Sequence, residues 1–118
     1  MAWLLVEGDE VVVRLSAPER LVARRSEVRV PLSAVAAVAV ERDWWRALRG
    51  EHGSGVWIPG ALSLGVRRHP RGCDFASVRT GRPVVVVDLR PPAPFSRLAV
   101  SDPDADATAL VLRAATGI

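Results

Sequence analysis

Ser101-Asp102-Pro103-Asp104-Ala105-Asp106 is the stretch that decides the fold, because the one well-marked helix start in this 118-residue chain comes last. Asp102 or Ser101 can cap the helix, Pro103 pre-sets φ in the first turn, and Asp104 and Asp106 complement the helix dipole. Ala107, Leu110, Val111 and Ala114 then share one face, and Gly117 can end the helix. At ~1.5 Å per residue such a helix spans about 20 Å, enough to close one opening of a small barrel.

Seven short β-type runs precede it. Val11-Val12-Val13-Arg14-Leu15 opens the sheet. Ser16-Ala17-Pro18-Glu19 then has the form of a helix cap with Pro in the first turn and Glu at the third position, which predicts one or two turns through Ala23. From Val28 to Val40 the even positions are all apolar, and Pro31 splits this pattern into strands near 27–31 and 35–41. Asp43 to Gly50 reads as a short helix closed by Gly50, and 51–60, with glycines at 53, 55 and 60, as the longest irregular segment. Strands near 61–67, 73–78, 83–90 and 95–101 follow, separated by His69-Pro70-Arg71-Gly72, Thr80-Gly81 and Pro91-Pro92-Ala93-Pro94.

This length predicts a single domain over 1–118, and a domain of this size hides roughly 65% of its unfolded surface without needing a staple. Cys73 is the lone cysteine, so no internal disulfide forms and a cytoplasmic home is expected. Ala2-Trp3-Leu4-Leu5-Val6 is too short for a membrane span and lacks a basic flank. All sixteen basic residues are Arg, which points to coding bias in a GC-rich bacterial genome rather than to selection for arginine chemistry. Residues 60–100 hold seven Arg against two acids, but only Phe75 and Phe95 are interleaved with them, which argues against nucleic acid as a partner.

No catalytic or metal-binding constellation stands out. His69 and Cys73, with Asp74 adjacent, fall short of the three or four ligands that zinc needs, and read as a turn His and a half-buried strand Cys. Gly53-Ser54-Gly55 lacks the Lys-Ser/Thr of a phosphate loop and does not fit a nucleophile elbow.

The tryptophans are more informative. Trp44, Trp45 and Trp57 fall in or beside the 42–60 region. Neighbours on a helix point about 100° apart, so one of Trp44 and Trp45 packs inward while the other stays accessible. Leu48 shares the face of Trp44, so Trp44 is the expected buried ring and Trp45 the exposed one. If the strands form a meander, one end of the barrel gathers Arg20, Arg24, Arg25, Arg42, Arg46, Arg49, Arg79 and Arg82, and Arg67-Arg68-Arg71 lie at the other.

Several local patterns recur in a familiar order: Val30-Pro31-Leu32-Ser33-Ala34-Val35, Leu48-Arg49-Gly50, Pro59-Gly60, Asp74-Phe75-Ala76, Arg82 to Leu89 and Asp102-Pro103. In that order the chain resembles small single-domain bacterial members of the pleckstrin-homology-like (PH-like) superfamily. The resemblance implies a mainly β, PH-like barrel of about seven antiparallel strands capped by a C-terminal α-helix. It implies binding or scaffolding and brings no catalytic residue. Phosphoinositide-binding relatives carry a Lys/Arg pair on the first strand and loop, whereas Arg14 stands alone here and lysine is absent.

The expected function is a non-enzymatic interaction or scaffold module that binds a protein partner or itself, without cofactor or metal. Its candidate binding residues are Trp45, Arg46, Arg49, His52, Trp57, Arg24 and Arg79. The alternative is peripheral membrane contact, or a small phosphorylated ligand, at the Arg- and Trp-bearing loop end.

Overall fold

The computed structural model describes residues 2–117. The first sheet holds β1 (Trp3–Glu7), β2 (Glu10–Arg14) and β3 (Glu27–Pro31), in that order and antiparallel. The second holds β4 (Val35–Glu41), β5 (Glu51–Ile58), β6 (Leu62–His69), β7 (Gly72–Arg79), β8 (Val84–Leu89) and β9 (Arg97–Ser101), ordered β4-β8-β9-β7-β6-β5. Helix α1 (Ala17–Ala23) joins β2 to β3, and α2 (Ala105–Thr116) ends the described chain. The class is mainly β with a C-terminal helix, as the sequence predicts.

Several details differ from the expectation. The described residues hold nine strands rather than seven, in two sheets that do not close into a barrel. One added strand is β1, whose hairpin with β2 turns on two residues, Gly8 (φ +59°) and Asp9, a recognised short-loop signal. The other is β5, in the segment that reads as irregular. Nor is the second sheet a meander: β9 inserts between β8 and β7 and runs parallel to β7. The cause is composition. Leu98, Ala99 and Val100 are buried in succession, so β9 has no face fit for water and takes a central place.

Helix α1 follows the expected local chemistry. The Ser16 N–H donates to Glu19 Oε1 at 3.0 Å, and the helix ends at Arg24 in the left-handed region. Helix α2 begins later than the Pro103 signal suggests, with Asp104 at its N-cap. Asp102 accepts the Asp104 N–H at 2.8 Å, forming a turn ahead of the helix. Its buried face is Ala105, Ala109 and Leu112, whereas Leu110 and Val111 are exposed, which corrects the expected face. A helix with apolar residues nearly all round gives periodicity little to choose between. Helix α2 packs against β1, β4 and β8.

The main core lies between the sheets. Val11, Val13, Val28 and Val30 face Phe75, Val85, Val87, Leu98 and Val100, with Leu112 entering from α2. Each such side chain, fully buried, contributes about 1.5–3 kcal/mol. Val12 alternates to the opposite face yet is fully buried. Above it, Arg29 bonds Glu7 (3.0 Å), Glu10 (3.2 Å) and Glu27 (2.6 Å), while Arg14 bonds Glu7 and Glu27. The stems of these residues roof the valine.

This lattice has a pH signature. Hydrogen bonds from Arg29 foremost, then from Arg14, hold Glu7 and Glu27 below the ordinary carboxylate value. Folded carboxyls lowered in this way stabilise the chain above the ordinary glutamate pKa of about 4.3, and that contribution is lost as pH falls through the lowered values. Arg29→Met is therefore expected to lower the urea midpoint at neutral pH, with the gap to the parent closing in acid. A gap that stays constant down to acid pH would remove the lattice as a source of stability.

Candidate functional site

The chain leaves β4 at one edge of the second sheet and begins β5 at the other, so residues 42–50 cross the sheet's outer face. That face is built for close approach. Ala76, Val78, Val84, Val86 and Ala99 form a small second cluster, and Ala47 of the crossing segment is buried against it. Trp44 and Leu48 pack on the same cluster, while Trp45 remains 55% exposed. The segment is a short 3-10 turn over Trp44–Ala47 rather than an α-helix, but the assignment of the two tryptophan faces holds. Their rings meet edge to face, 5.7 Å between centroids.

The end of the crossing is fixed by charge. Arg49 binds Asp74 through two bonds of 2.8 Å, and the buried His69 ring bonds the same carboxylate at 2.9 Å. The Arg71 N–H donates to Nδ1 of His69, which leaves Nε2 as the donor to Asp74. Asp74 in turn raises the pKa of Arg49. Cys73 lies on the other face of β7, packed on the main core with its Sγ 3.6 Å from the Pro94 carbonyl. Among the described residues no group of three or more His, Cys, Asp or Glu is placed to hold a metal.

Strand β5 completes a cleft. Trp57 pairs with Ser63 and His52 with Arg67, and a bulge at Gly53 shifts the register between them. Without it, residues five apart would face opposite sides of the strand. With it, His52 and Trp57 share the outer face and their rings stack at 6.1 Å. Arg67 projects beneath them. It is only 8% exposed; Nε donates to the Arg49 carbonyl (3.1 Å), Nη2 to the Gly50 carbonyl (2.9 Å) and Nη1 to Ser63 Oγ (3.3 Å). The guanidinium carbon lies 5.8 Å from the centre of the Trp57 ring. Burial lowers the pKa of Arg67, opposed by the charge of Asp74.

Two openings flank Trp57. One, of about 270 Å³, is walled by Trp44, Trp45, Leu48, Ile58 and Leu62, with Ser63 and Arg67 among its lining. The other, of about 440 Å³, is lined by Gly50, Glu51, His52, Trp57 and Arg67.

Of the residues singled out from sequence, the structure brings Trp45, Trp57 and His52 to these openings, and Arg49 contributes its carbonyl to hold Arg67. The other arginines stand apart. Arg46 is solvent-facing and pairs with Asp43 at 3.4 Å. Arg24 lines a different, 620 Å³ cavity beside Leu21 and Ser54. Arg79 ends β7, its N–H bonded to Ser101 Oγ at 2.8 Å. Arg67 is the residue that sequence reasoning misplaced. The β5–β6 ladder pairs Glu51 with Arg68, so Arg67 and Arg49 lie at one end of the sheet, not opposite ends. Val56-Trp57-Ile58, three strand formers in a row, was the available signal.

Comparison with protein-family models, curated proteins and solved structures returns no match for the chain, so the reading of the cleft rests on its geometry.

The two tryptophans differ in expected energetics. Trp44→Ala removes a half-buried ring from the second cluster and should cost about 2 kcal/mol, below the range for a fully buried aromatic. Trp45→Ala should change stability by less than about 0.5 kcal/mol, as for surface positions. Urea melts of both variants check this, and a greater loss from Trp45→Ala would reverse the assignment.

Proposed function

We propose that the chain is a non-enzymatic interaction module, with the tryptophan cleft as its recognition surface and the β1–α2 seam as its self-association surface. The observation that carries this is how the exposed large apolar side chains sort. Trp45, Trp57 and Ile58 gather at the cleft, Val111 lines the groove between α2 and β1 with Trp3 exposed on that strand, and Leu110, about 100° round α2 from Val111, stands apart with Leu21 and Val22 of α1. Scattered exposure is ordinary, whereas gathered exposure marks a contact surface.

The strand edges support the choice of seam. β3 ends in Pro31, the β4 carbonyls of Val35 and Val38 accept from Arg90 and Arg113, and β5 carries a bulge. These are the usual guards against edge pairing. Among the described residues β1 has no proline, bulge or arginine cap, and grooves lined by Leu4, Leu5, Thr108 and Val111 run beside it. A two-fold axis across such an edge gives a closed, isologous dimer.

The PH-like resemblance and a cytoplasmic, bacterial setting belong to the same proposal. Two sheets with a C-terminal helix are compatible with that superfamily, and no described helix is long and apolar enough to cross a membrane. Anionic-lipid binding has less support: Arg24 lines a cavity away from the cleft, Arg46 is paired with Asp43, and Arg79 ends β7.

Light scattering across a concentration series should show mass rising above that of one chain. Val111→Glu, at an exposed position, should return it to the monomer with its fold intact. A parent chain that stays monomeric at every concentration would overturn the self-association half of the proposal.

A further inference from the structure

We infer that the cleft beside Trp57 is a receptor for a small organic anion, a carboxylate or phosphate ester carried on a flat apolar body. The inference rests on the reading of this cleft as a recognition surface and names the chemistry it recognises.

The starting point is a charge without a counter-charge. Arg67 is 8% exposed, yet among the described residues no carboxylate lies within ion-pair distance of it. The acid that acts on it, Asp74, is already held by Arg49 and His69. Burying a cation is costly unless it is paired. Here its hydrogen bonds go to two carbonyls and one hydroxyl, beside the Trp57 ring and the more distant charge of Asp74, and none goes to a carboxylate among the described residues.

Those three bonds also leave donors over. A guanidinium has five N–H groups in a planar fork suited to two-oxygen acceptors. Three are engaged, so two remain. Ser63 is buried and accepts from Arg67, and its own hydroxyl proton has no acceptor among the described residues. The floor of the opening therefore offers donors and no charged acceptor. Among the residues lining the 270 Å³ opening, Arg67 is the only charged one and Ser63 the only other with a polar side chain besides the indole N–H groups. The acid nearby, Glu51, lines the other opening and stands opposite Arg68 in the ladder.

The walls select the rest of the ligand. An apolar cavity of roughly 150 Å³ takes a benzene ring, so 270 Å³ has room for a two-ring body. Trp44, Trp45 and Trp57 supply flat apolar surface, and an aromatic guest gains from offset or edge-to-face contact with them. A bare inorganic ion would leave these walls unused.

Calorimetry and heteronuclear NMR with three probes of one shape test this: naphthoate, naphthyl phosphate and the neutral naphthamide. Both anions should bind in the micromolar to millimolar range, at least about tenfold more tightly than the amide, as expected for a charge-assisted bond. They should shift the Arg67 Nε–H and the Trp57 indole N–H signals. Arg67→Met should remove the preference for anions. Ser63→Ala, which keeps the charge, should weaken both anions several-fold and serves if the methionine variant does not fold. Trp45→Ala should weaken all three probes alike. The stronger of the two anions tells whether a carboxylate or a phosphorylated ligand is the source.

An amide that binds as tightly as the anions would overturn the inference and leave an apolar recognition surface standing. The absence of saturable binding by any probe would overturn it too. In that case the cleft half of the recognition reading falls with it, while self-association through the β1–α2 seam, read by light scattering, stands or falls separately.

Discussion

Asp74→Ala is expected to cost about 3 kcal/mol and to loosen the segment that crosses the second sheet. Removing one partner of a buried ion pair typically costs about 3–5 kcal/mol, because the other charge is left behind in a poor solvent. Two groups would be stranded at once. Arg49 loses both of its 2.8 Å bonds, and His69 loses its carboxylate partner. The lower end of the range applies because the Arg49 side chain keeps 24% of its surface in water and can rehydrate. The loss should also be local in character. Arg49 anchors Gly50, whose carbonyl, like that of Arg49, holds Arg67 in place. Fluorescence of Trp44 and Trp45 should therefore change at denaturant concentrations below the main transition. Asp74→Asn keeps an acceptor for Arg49 and should recover part of the loss. A cost under about 1 kcal/mol for the alanine variant would mean that packing of Ala47 and Trp44, rather than charge, holds the crossing.

That network shows where sequence legibility ends. Local chemistry was plain in the chain. The Ser16–Glu19 cap, the split of 28–40 at Pro31, the valine run of β8 and the opposed faces of Trp44 and Trp45 each follow from interactions within a few residues. Order within the sheet is a different matter. It is set by which strand has no face that tolerates water, and the claim of β9 on a central place emerges only in competition with its neighbours. The same holds for α2, whose apolar residues lie on nearly every side and leave the choice of face to the sheets it packs on. The partnership of Arg49 with Asp74, 25 positions apart, needs the crossing of the whole second sheet to exist.

The cleft was half legible for a related reason. Trp45 and Trp57 announce a surface because tryptophan is enriched at contact hot spots, and both do remain half exposed. Arg67 announces nothing. It reads as one arginine among sixteen, and its distinction is geometric: the β5–β6 pairing tucks it under Trp57, while loop arginines such as Arg42, Arg46 and Arg49 find acids elsewhere. Charge counting along a chain finds cations that repel one another in water. It cannot find the one that is desolvated.

Gly65→Ala is expected to be among the most damaging single-methyl changes in the chain, costing about 3–5 kcal/mol or preventing folding. Gly65 and Gly55 lie directly opposite each other in the β5–β6 ladder. Both have positive φ, +131° and +92°, in a region that side chains avoid. Space is the stronger constraint. A Cβ on Gly65 would sit 2.2 Å from the Ser54 carbonyl oxygen, and one on Gly55 would sit 2.0 Å from that of Leu64. Both obstacles are backbone, so no rotamer change relieves them; the strands must part. Parting them would undo the β5–β6 pairing that places Trp57 over Arg67, and binding at the cleft should fail with stability. Gly81→Ala is the matched control. Its φ is +80°, but nothing lies within 4 Å of the added Cβ, so it should cost only about 1 kcal/mol from backbone conformation. Thermal and urea melts of the two variants separate the contributions. Equal costs would show that backbone angle alone governs these glycines and that the close approach of β5 to β6 is not what shapes the cleft.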